Sequence, residues 1–310
     1  MMHLVSKLPF YFSFIVTVIA SSSSAYLDHV TEQTVKVDTP DGTRSYVVYT
    51  PKKKDVSHLL LTLHGFGESS SYFLGYTDFR KHAYTYGYEI ILPESIGSGW
   101  NAGGCCFSTN DDIGYMKSII RARRQVHGNL PVYGYGFSNG GMLIEALLCE
   151  GIVQKAVSTS GVLTIGEGGD EGLNTCDQKL EASGLIDNRA LLSLQASVDG
   201  IVPWEGGSIF GNFPNKWTSF LRWGQRLGCR SEDEWVSTGL STGFSRLPCP
   251  RGNQVVLFYI RGATHWAHLD WRDIYGVYAE DVSVKFLFEG VEPYQSVLFE
   301  NLCSSPGYLC

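Results

Sequence analysis

Three side chains in this sequence have the types needed to turn a hydroxyl into a nucleophile, and the first lies in Gly136-Phe137-Ser138-Asn139-Gly140. The segment follows the apolar run Leu130 to Tyr133 and precedes a stretch, Met142 to Glu150, that reads as a helix. A serine at such a strand-to-helix turn is held in strained backbone geometry, and glycines two residues to either side are required because a Cβ there would strike the neighbouring strand or helix. The turn pushes Oγ out of the sheet and aims the helix N-terminus at the same point, so the Asn139 amide can stabilise an oxyanion. A serine capping a helix in a glycine-rich turn is the structural alternative for the same five residues.

A hydroxyl is a weak nucleophile near neutral pH and needs an imidazole within hydrogen-bond reach, with a carboxylate to set the imidazole tautomer. Asp199 stands just past the apolar run Ala190 to Gln195, in Ala196-Ser197-Val198-Asp199-Gly200. His265 stands just past Val255 to Ile260, in Arg261-Gly262-Ala263-Thr264-His265-Trp266. Serine, aspartate and histidine in that chain order match the order of α/β-hydrolases and differ from the chymotrypsin-like and subtilisin-like orders. A turn aspartate before glycine is the other reading of Asp199, with Asp187 or Asp170 as substitutes, and His268 competes with His265 for the role of base. His265, His268 and Asp270 could also be read as metal ligands, but no further ligand is evident and no metal is expected. A second oxyanion donor is expected from Leu63-His64-Gly65-Phe66-Gly67, through the amide of Phe66 or Gly67, with His64 propping that loop by local hydrogen bonds.

These residues must be positioned by strands that deliver their ends to one edge. Thr34 to Val37 and Tyr46 to Thr50, separated by Pro40-Asp41-Gly42, predict an opening antiparallel hairpin. Short apolar runs at His58 to Leu63, Tyr88 to Leu92, Val132 to Gly136, Gln154 to Ser158, Ala190 to Gln195 and Val255 to Ile260 lack strict alternation, as expected of strands covered on both faces. Helices are expected at Phe79 to Tyr86, Asp111 to His127, Met142 to Glu150, Lys216 to Leu227 and Ile274 to Phe288. In the second of these Asn110 is the expected cap, and Asp111 and Asp112 read as dipole partners in preference to a catalytic carboxylate pair. The alternation predicts an α/β fold with a mostly parallel sheet, an antiparallel N-terminal start, helices on both faces, and function at the carboxyl ends of the strands.

Lys7 followed by the apolar run Leu8 to Ala20 and the small residues Ser21 to Ala25 predicts a secretory signal over residues 1–25, cleaved before Tyr26. The remaining residues, 26–310, read as a single soluble, extracellular domain, since no linker or repeat interrupts them. The formal net charge of −7 makes nucleic acid an unsuitable partner. No membrane partner is expected once the leader is removed. The eight cysteines, all beyond the leader, suggest disulfides in an oxidising compartment, and their 105 complete pairings leave the connectivity open. No Asn-x-Ser/Thr sequon is present, so N-glycosylation is not expected.

Six segments resemble the secreted polyhydroxybutyrate depolymerase-like esterases, a group that includes feruloyl and acetylxylan esterases. They are Leu63 to Gly67, Trp100-Asn101-Ala102-Gly103-Gly104-Cys105-Cys106, Asp111 to Gly114, Gly136 to Gly140, Asp199 to Pro203 with Gly206-Gly207, and Gly262 to His265. The Asn-Ala-Gly-Gly-Cys-Cys segment followed by Asp-Asp is more selective than the serine motif. The resemblance implies an α/β-hydrolase without a large lid, a Ser138, Asp199, His265 triad, and cofactor-free cleavage of carboxylic esters through an acyl-enzyme. Hydroxyalkanoate esters or oligomers are the first expected substrates, with feruloyl or acetylated plant polysaccharide as the alternative. An acyltransferase, a non-catalytic binding protein on the same fold and a serine peptidase are the remaining readings. Trp266 directly follows the histidine, where the group commonly places one residue before Trp-Pro. Trp100, Trp204 and Trp266 lie in loops beside the matched segments and are expected to form an apolar acyl or aryl pocket.

Overall fold

The computed structural model describes residues 27–290 apart from 40, 53, 107, 165–175, 185, 208–209, 231–233 and 238–241. The expected leader, Asp170, Cys303 and Cys310 lie outside the described residues.

The chain opens with β1 (Val30–Thr39) and β2 (Gly42–Pro51), paired antiparallel from Val30 opposite Pro51 to Thr39 opposite Gly42. This is the expected hairpin, extended at both ends. After β3 (His58–Leu63) come two short helices, α1 (Ser70–Tyr76) and α2 (Arg80–Tyr86), and then β4 (Tyr88–Pro93). The long helix α3 (Asp112–His127) leads to β5 (Val132–Phe137), α4 (Asn139–Cys149), β6 (Lys155–Thr159) and α5 (Cys176–Ser183). Next are β7 (Ala190–Ala196), α6 (Lys216–Arg226), β8 (Glu234–Ser237), β9 (Thr242–Leu247) and β10 (Gln254–Ile260). Helices α7 (Ala267–Tyr275) and α8 (Ala279–Val284) close the sequence of elements, with a π-turn at Lys285–Glu289.

The ten strands form one sheet in the order β1-β2-β4-β3-β5-β6-β7-β10-β9-β8. The six strands from β4 to β10 run parallel, so their carboxyl ends share one edge, and antiparallel pairs flank them on both sides. The β8–β9 hairpin at the far edge was not expected from the sequence, because Glu234 to Leu247 is interrupted by Ser, Thr and Gly and has no long apolar run.

Two cores lie on opposite faces of the sheet, and side chains alternate between them with the period of two that a strand imposes. Leu59, Leu61 and Leu63 of β3 pack with Met116, Ile119 and Leu143 of the helices on one face. Leu60 joins Phe73, Phe79, Trp271 and Phe286 on the other. A strand with apolar partners on both sides needs apolar residues at every position, which is why β3 reads as an unbroken run.

Local chemistry sets the helix limits. The cap of α3 is Asp111, whose Oδ1 accepts the Gly114 amide at 2.8 Å, and not the expected Asn110. Asp112 does more than complement the dipole: buried, it pairs with Arg44 at 2.7 Å and accepts the Asn101 amide at 2.7 Å. The helix expected from Ile274 to Phe288 is broken at Gly276, whose φ of 68° ends α7 in a left-handed cap. Two disulfides join elements at the edge of the core: the buried Cys149–Cys176 links α4 to α5, and the partly buried Cys229–Cys249 links the segments that follow α6 and β9.

Candidate active site

Ser138 joins β5 to α4 with φ 52° and ψ −121°, a left-handed backbone that non-glycine residues rarely adopt. The turn is held open for it by its two glycines. A Cβ at Gly136 would come within 2.3 Å of the Gly140 carbonyl oxygen, and a Cβ at Gly140 within 2.4 Å of the carbonyl oxygens of Leu63 and His64. Those are backbone contacts that no side-chain rotation can relieve. The Ser138 amide donates to the Thr159 carbonyl at 2.8 Å, which ties the turn to β6.

The sheet brings the three separated residues together. His265 Nε2 lies 2.8 Å from Ser138 Oγ, and His265 Nδ1 lies 2.9 and 3.0 Å from the two oxygens of Asp199. Asp199 and His265 follow β7 and β10, which are adjacent and parallel, so their loops emerge side by side. Asp199 Oδ1 also accepts the amides of Ile201 and Val202 at 2.9 and 2.8 Å, while Oδ2 receives Lys216 Nζ at 3.2 Å. Burial alone would push the Asp199 carboxyl up. The His265 hydrogen bond, the charges of Lys216 and His265 and the backbone amide outweigh it and hold the carboxyl at about 2. The Lys216 ammonium is pushed down to about 8 by burial, against the pull of Asp199.

The competitors are placed elsewhere. His268 is buried on α7, stacked on Tyr76 at 5.1 Å and edge-on to Phe137 at 4.5 Å, with no hydrogen-bond partner for either ring nitrogen. It neither caps a helix nor faces solvent. Burial, with the charges of His265 and Arg272, pushes it down to about 3, so it stays neutral through the working range. Asp270 caps its own loop by accepting the Thr264 amide at 2.6 Å. No cluster of three or more His, Cys, Asp or Glu able to hold a metal occurs among the described residues. Asp187 pairs with Arg251 at 3.1 Å on the surface.

Protonating His268 is free in the unfolded chain below its ordinary value of 6.5 and costly in the folded one. Stability tied to it is therefore complete above pH 6.5 and is lost as pH falls toward 3. His268→Phe should flatten the acid side of the stability profile, removing about 4 kcal/mol of pH dependence between those limits. Chemical denaturation at pH 7 and pH 4 would check this, and equal pH dependence in both proteins would refute it.

The loops expected to supply the oxyanion donors are locked to one another. Asn139 begins α4, and its side chain pairs with the Trp100 backbone in both directions, accepting the amide at 2.6 Å and donating to the carbonyl at 3.0 Å. Trp100 in turn donates its indole N–H to the His64 carbonyl at 2.9 Å and packs on the His64 ring at 4.8 Å. His64 Nδ1 reaches the Gly65 carbonyl at 2.8 Å, and the Gly65 amide donates to Glu68 at 2.9 Å. The two loop amides expected as donors separate here. The Gly67 amide already donates to the Ser98 carbonyl at 2.5 Å, whereas the amides of Phe66 and Asn139 have no acceptor among the described residues.

A cavity of about 490 Å³ opens above Ser138 and His265. Its rim carries the exposed aromatics Phe66, Tyr72, Phe210 and Trp266, and one wall is the Cys105–Cys106 pair, which forms a disulfide between neighbours in sequence. Of the three tryptophans expected at a pocket, only Trp266 lines it. Trp100 is fully buried because its ring props the loop at His64. Trp204 packs edge-on against Tyr259 at 4.8 Å, and its carbonyl accepts the Lys216 amide at 2.9 Å. Tyr72, Phe210 and Lys216 were missed in the sequence. The first two carried no signal beyond being aromatic. Lys216 carried a faint one: a cation in the first turn of a helix opposes the helix dipole.

No protein-family model matches this sequence, and no curated protein matches it. Solved structures do match the fold. An acetyl xylan esterase from Aspergillus awamori aligns over 76% of this chain and 94% of its own, with 15% identity and a TM-score of 0.55. An S-formylglutathione hydrolase from Agrobacterium tumefaciens aligns over 84% of this chain and 95% of its own, with 10% identity and a TM-score of 0.53. The chain has the α/β-hydrolase fold.

Proposed function

We propose that this chain is a secreted serine esterase that hydrolyses carboxylic esters of aromatic acids, such as feruloyl esters, through an acyl-enzyme on Ser138. Ser138 Oγ attacks the ester carbonyl while His265 Nε2 takes its proton, and Asp199 holds the imidazolium and its tautomer. The amides of Phe66 and Asn139 receive the developing oxyanion. His265 then returns the proton to the leaving alcohol oxygen, and the C–O bond to that alcohol breaks. In the second half His265 deprotonates a water, which attacks the acyl carbonyl and releases the acid and Ser138. Every step is carried by side chains and amides of the chain itself.

The observation that carries the choice of acid is the cavity over Ser138, with Phe66, Tyr72, Phe210 and Trp266 at its rim. Four aromatic faces around a site of this size suit a planar aryl group, which gains offset stacking beyond simple burial, about 0.5–1.5 kcal/mol per pair. An acetyl group would leave most of that surface uncovered, and a hydroxyalkanoate chain has no ring to stack. Secretion is supported by the Cys149–Cys176 and Cys229–Cys249 disulfides, which belong to an oxidising compartment.

The test is a panel of methyl ferulate, p-nitrophenyl acetate, 3-hydroxybutyrate oligomers and acetylated xylo-oligosaccharide. The expected result is a kcat/KM for methyl ferulate at least tenfold above that for the oligomers, with Phe66→Ala and Tyr72→Ala raising KM for the aryl ester alone. A preference for hydroxybutyrate oligomers would overturn the aryl reading and leave esterase chemistry in place. Added alcohol acceptors would reveal transfer by accumulation of a new ester in place of free acid.

A further inference from the structure

Lys216 is an unexpected residue to find against a catalytic carboxylate. Its side chain is 1% exposed and its Nζ lies 3.2 Å from Asp199 Oδ2, the oxygen that His265 Nδ1 also reaches at 2.9 Å. The local chain is arranged to bring it there. Asn215 caps α6 by accepting the Thr218 amide at 3.0 Å, and the Lys216 amide is held by the Trp204 carbonyl at 2.9 Å. The Asp199 to Gly207 loop closes on the same helix start, where a Cβ at Gly206 would come within 2.7 Å of the Asn215 nitrogen. The first turn of α6 therefore packs beneath the Asp199 loop with its lysine pointing inward.

A buried ammonium carries a desolvation cost of several kcal/mol, and one at a helix N-terminus also opposes the dipole. An apolar residue of similar volume would serve packing better. Burial pushes the ammonium down, as set out above, which is the mark of that cost. Asp199 already has the Ile201 and Val202 amides and the His265 ring to orient it. What Lys216 adds is a positive charge one carboxylate away from the base.

We propose that Lys216 is a positioning residue of the Ser138–His265–Asp199 relay, a buried cation that holds Asp199 ionised and keeps His265 a neutral base down to lower pH than Asp199 alone would allow. This rests on the roles proposed above for those three residues. The physical reason is Coulombic. A carboxylate shared with an ammonium attracts a proton to the neighbouring imidazole less strongly, so more of the free enzyme holds an unprotonated base on the acid side. The same sharing gives up some stabilisation of the imidazolium in the transition state. The other titratable groups around this relay are His268 and Asp270 on α7 and Glu68 across the cavity. His268 is neutral, Asp270 is engaged by Thr264, and Glu68 is engaged by Tyr76 and Gly65. Glu205, near the helix start, is exposed and bound by the Asn215 amide group.

The experiment is the pH dependence of kcat/KM in the full chain for wild type, Lys216→Met and Lys216→Gln, since its acid limb reports the ionisation of the base in free enzyme. Both variants should move the acid limb upward by about one pH unit, the methionine by loss of charge and hydrogen bond and the glutamine by loss of charge alone. An acid limb in its wild-type place in either folded variant would overturn the proposal. A purely structural lysine would change the amount of active protein and leave the limb where it was. A measurement on wild type covers the case in which the variants do not fold: the NMR resonance of the proton between His265 and Asp199 should shift with an inflection near pH 8, as Lys216 itself discharges. A resonance that passes through that region without inflection would equally overturn it. Ser138→Ala distinguishes the two layers of the argument, because activity surviving in that variant would refute the triad, while an inactive Ser138→Ala beside unmoved acid limbs would refute only the role of Lys216.

Discussion

Ser138→Ala should lower kcat for an aryl ester by a factor on the order of 10⁴ to 10⁶, leaving only what binding and the oxyanion amides supply. The size follows from the geometry. Oγ sits 2.8 Å from His265 Nε2, and among the described residues no other hydroxyl is hydrogen-bonded to that nitrogen. Alanine keeps the Cβ, so it occupies the same left-handed backbone at φ 52°, and the fold is expected to be unchanged. Two measurements check the result: steady-state turnover, and the mass added by a fluorophosphonate, which should label wild type and spare the variant. Turnover within tenfold of wild type would remove Ser138 from the reaction.

Asp199→Asn should produce two large effects of separate origin. The first is catalytic, a fall in kcat of about 10⁴, because a side-chain amide can hold His265 in the wrong tautomer and cannot stabilise the imidazolium. The second is structural, a loss of about 3–5 kcal/mol at neutral pH, because the substitution leaves the Lys216 ammonium buried without its counter-charge. The pH dependence identifies the second effect. With the carboxylate gone, the lysine releases its proton in the folded chain at still lower pH than the about 8 it has beside Asp199, while the unfolded chain keeps its proton up to about 10.5. The unfolded state then binds more protons over that window, so the stability of the variant should rise with pH across it. Denaturation at pH 7 and pH 9 measures the rise. The double variant Asp199→Asn/Lys216→Met should regain stability at pH 7 while staying inactive. Equal stability in the single and double variants would show that the ion pair does not set the loss.

These effects show how much of the molecule can be read before it folds. The strand runs at β3, β4, β5, β6, β7 and β10 were legible because strands buried on both faces must be apolar throughout. The β8–β9 hairpin was not, since an edge strand needs only one apolar face and pairs through its backbone. The Ile274 to Phe288 segment has apolar residues enough for one helix, yet Gly276 adopts a left-handed conformation and divides it. That choice depends on what Trp271 and Phe286 pack against, which is the opposite face of the sheet.

The candidate site divides along the same line. By itself the sequence determined the fold class and the candidate residues Ser138, Asp199 and His265, because a nucleophile turn demands glycines at set spacing and loops after parallel strands must carry the partners. Only tertiary structure decided which amides remain free for an oxyanion, since Gly67 spends its N–H on a loop more than twenty residues away in sequence. It also decided that Trp100 is a prop, that Tyr72 and Phe210 share the rim with Trp266, and that Lys216 stands against Asp199. Spacing along a chain encodes local backbone geometry, whereas burial and the pairing of distant charges are properties of the packed sheet and its loops, and it is these that set what the three residues can do.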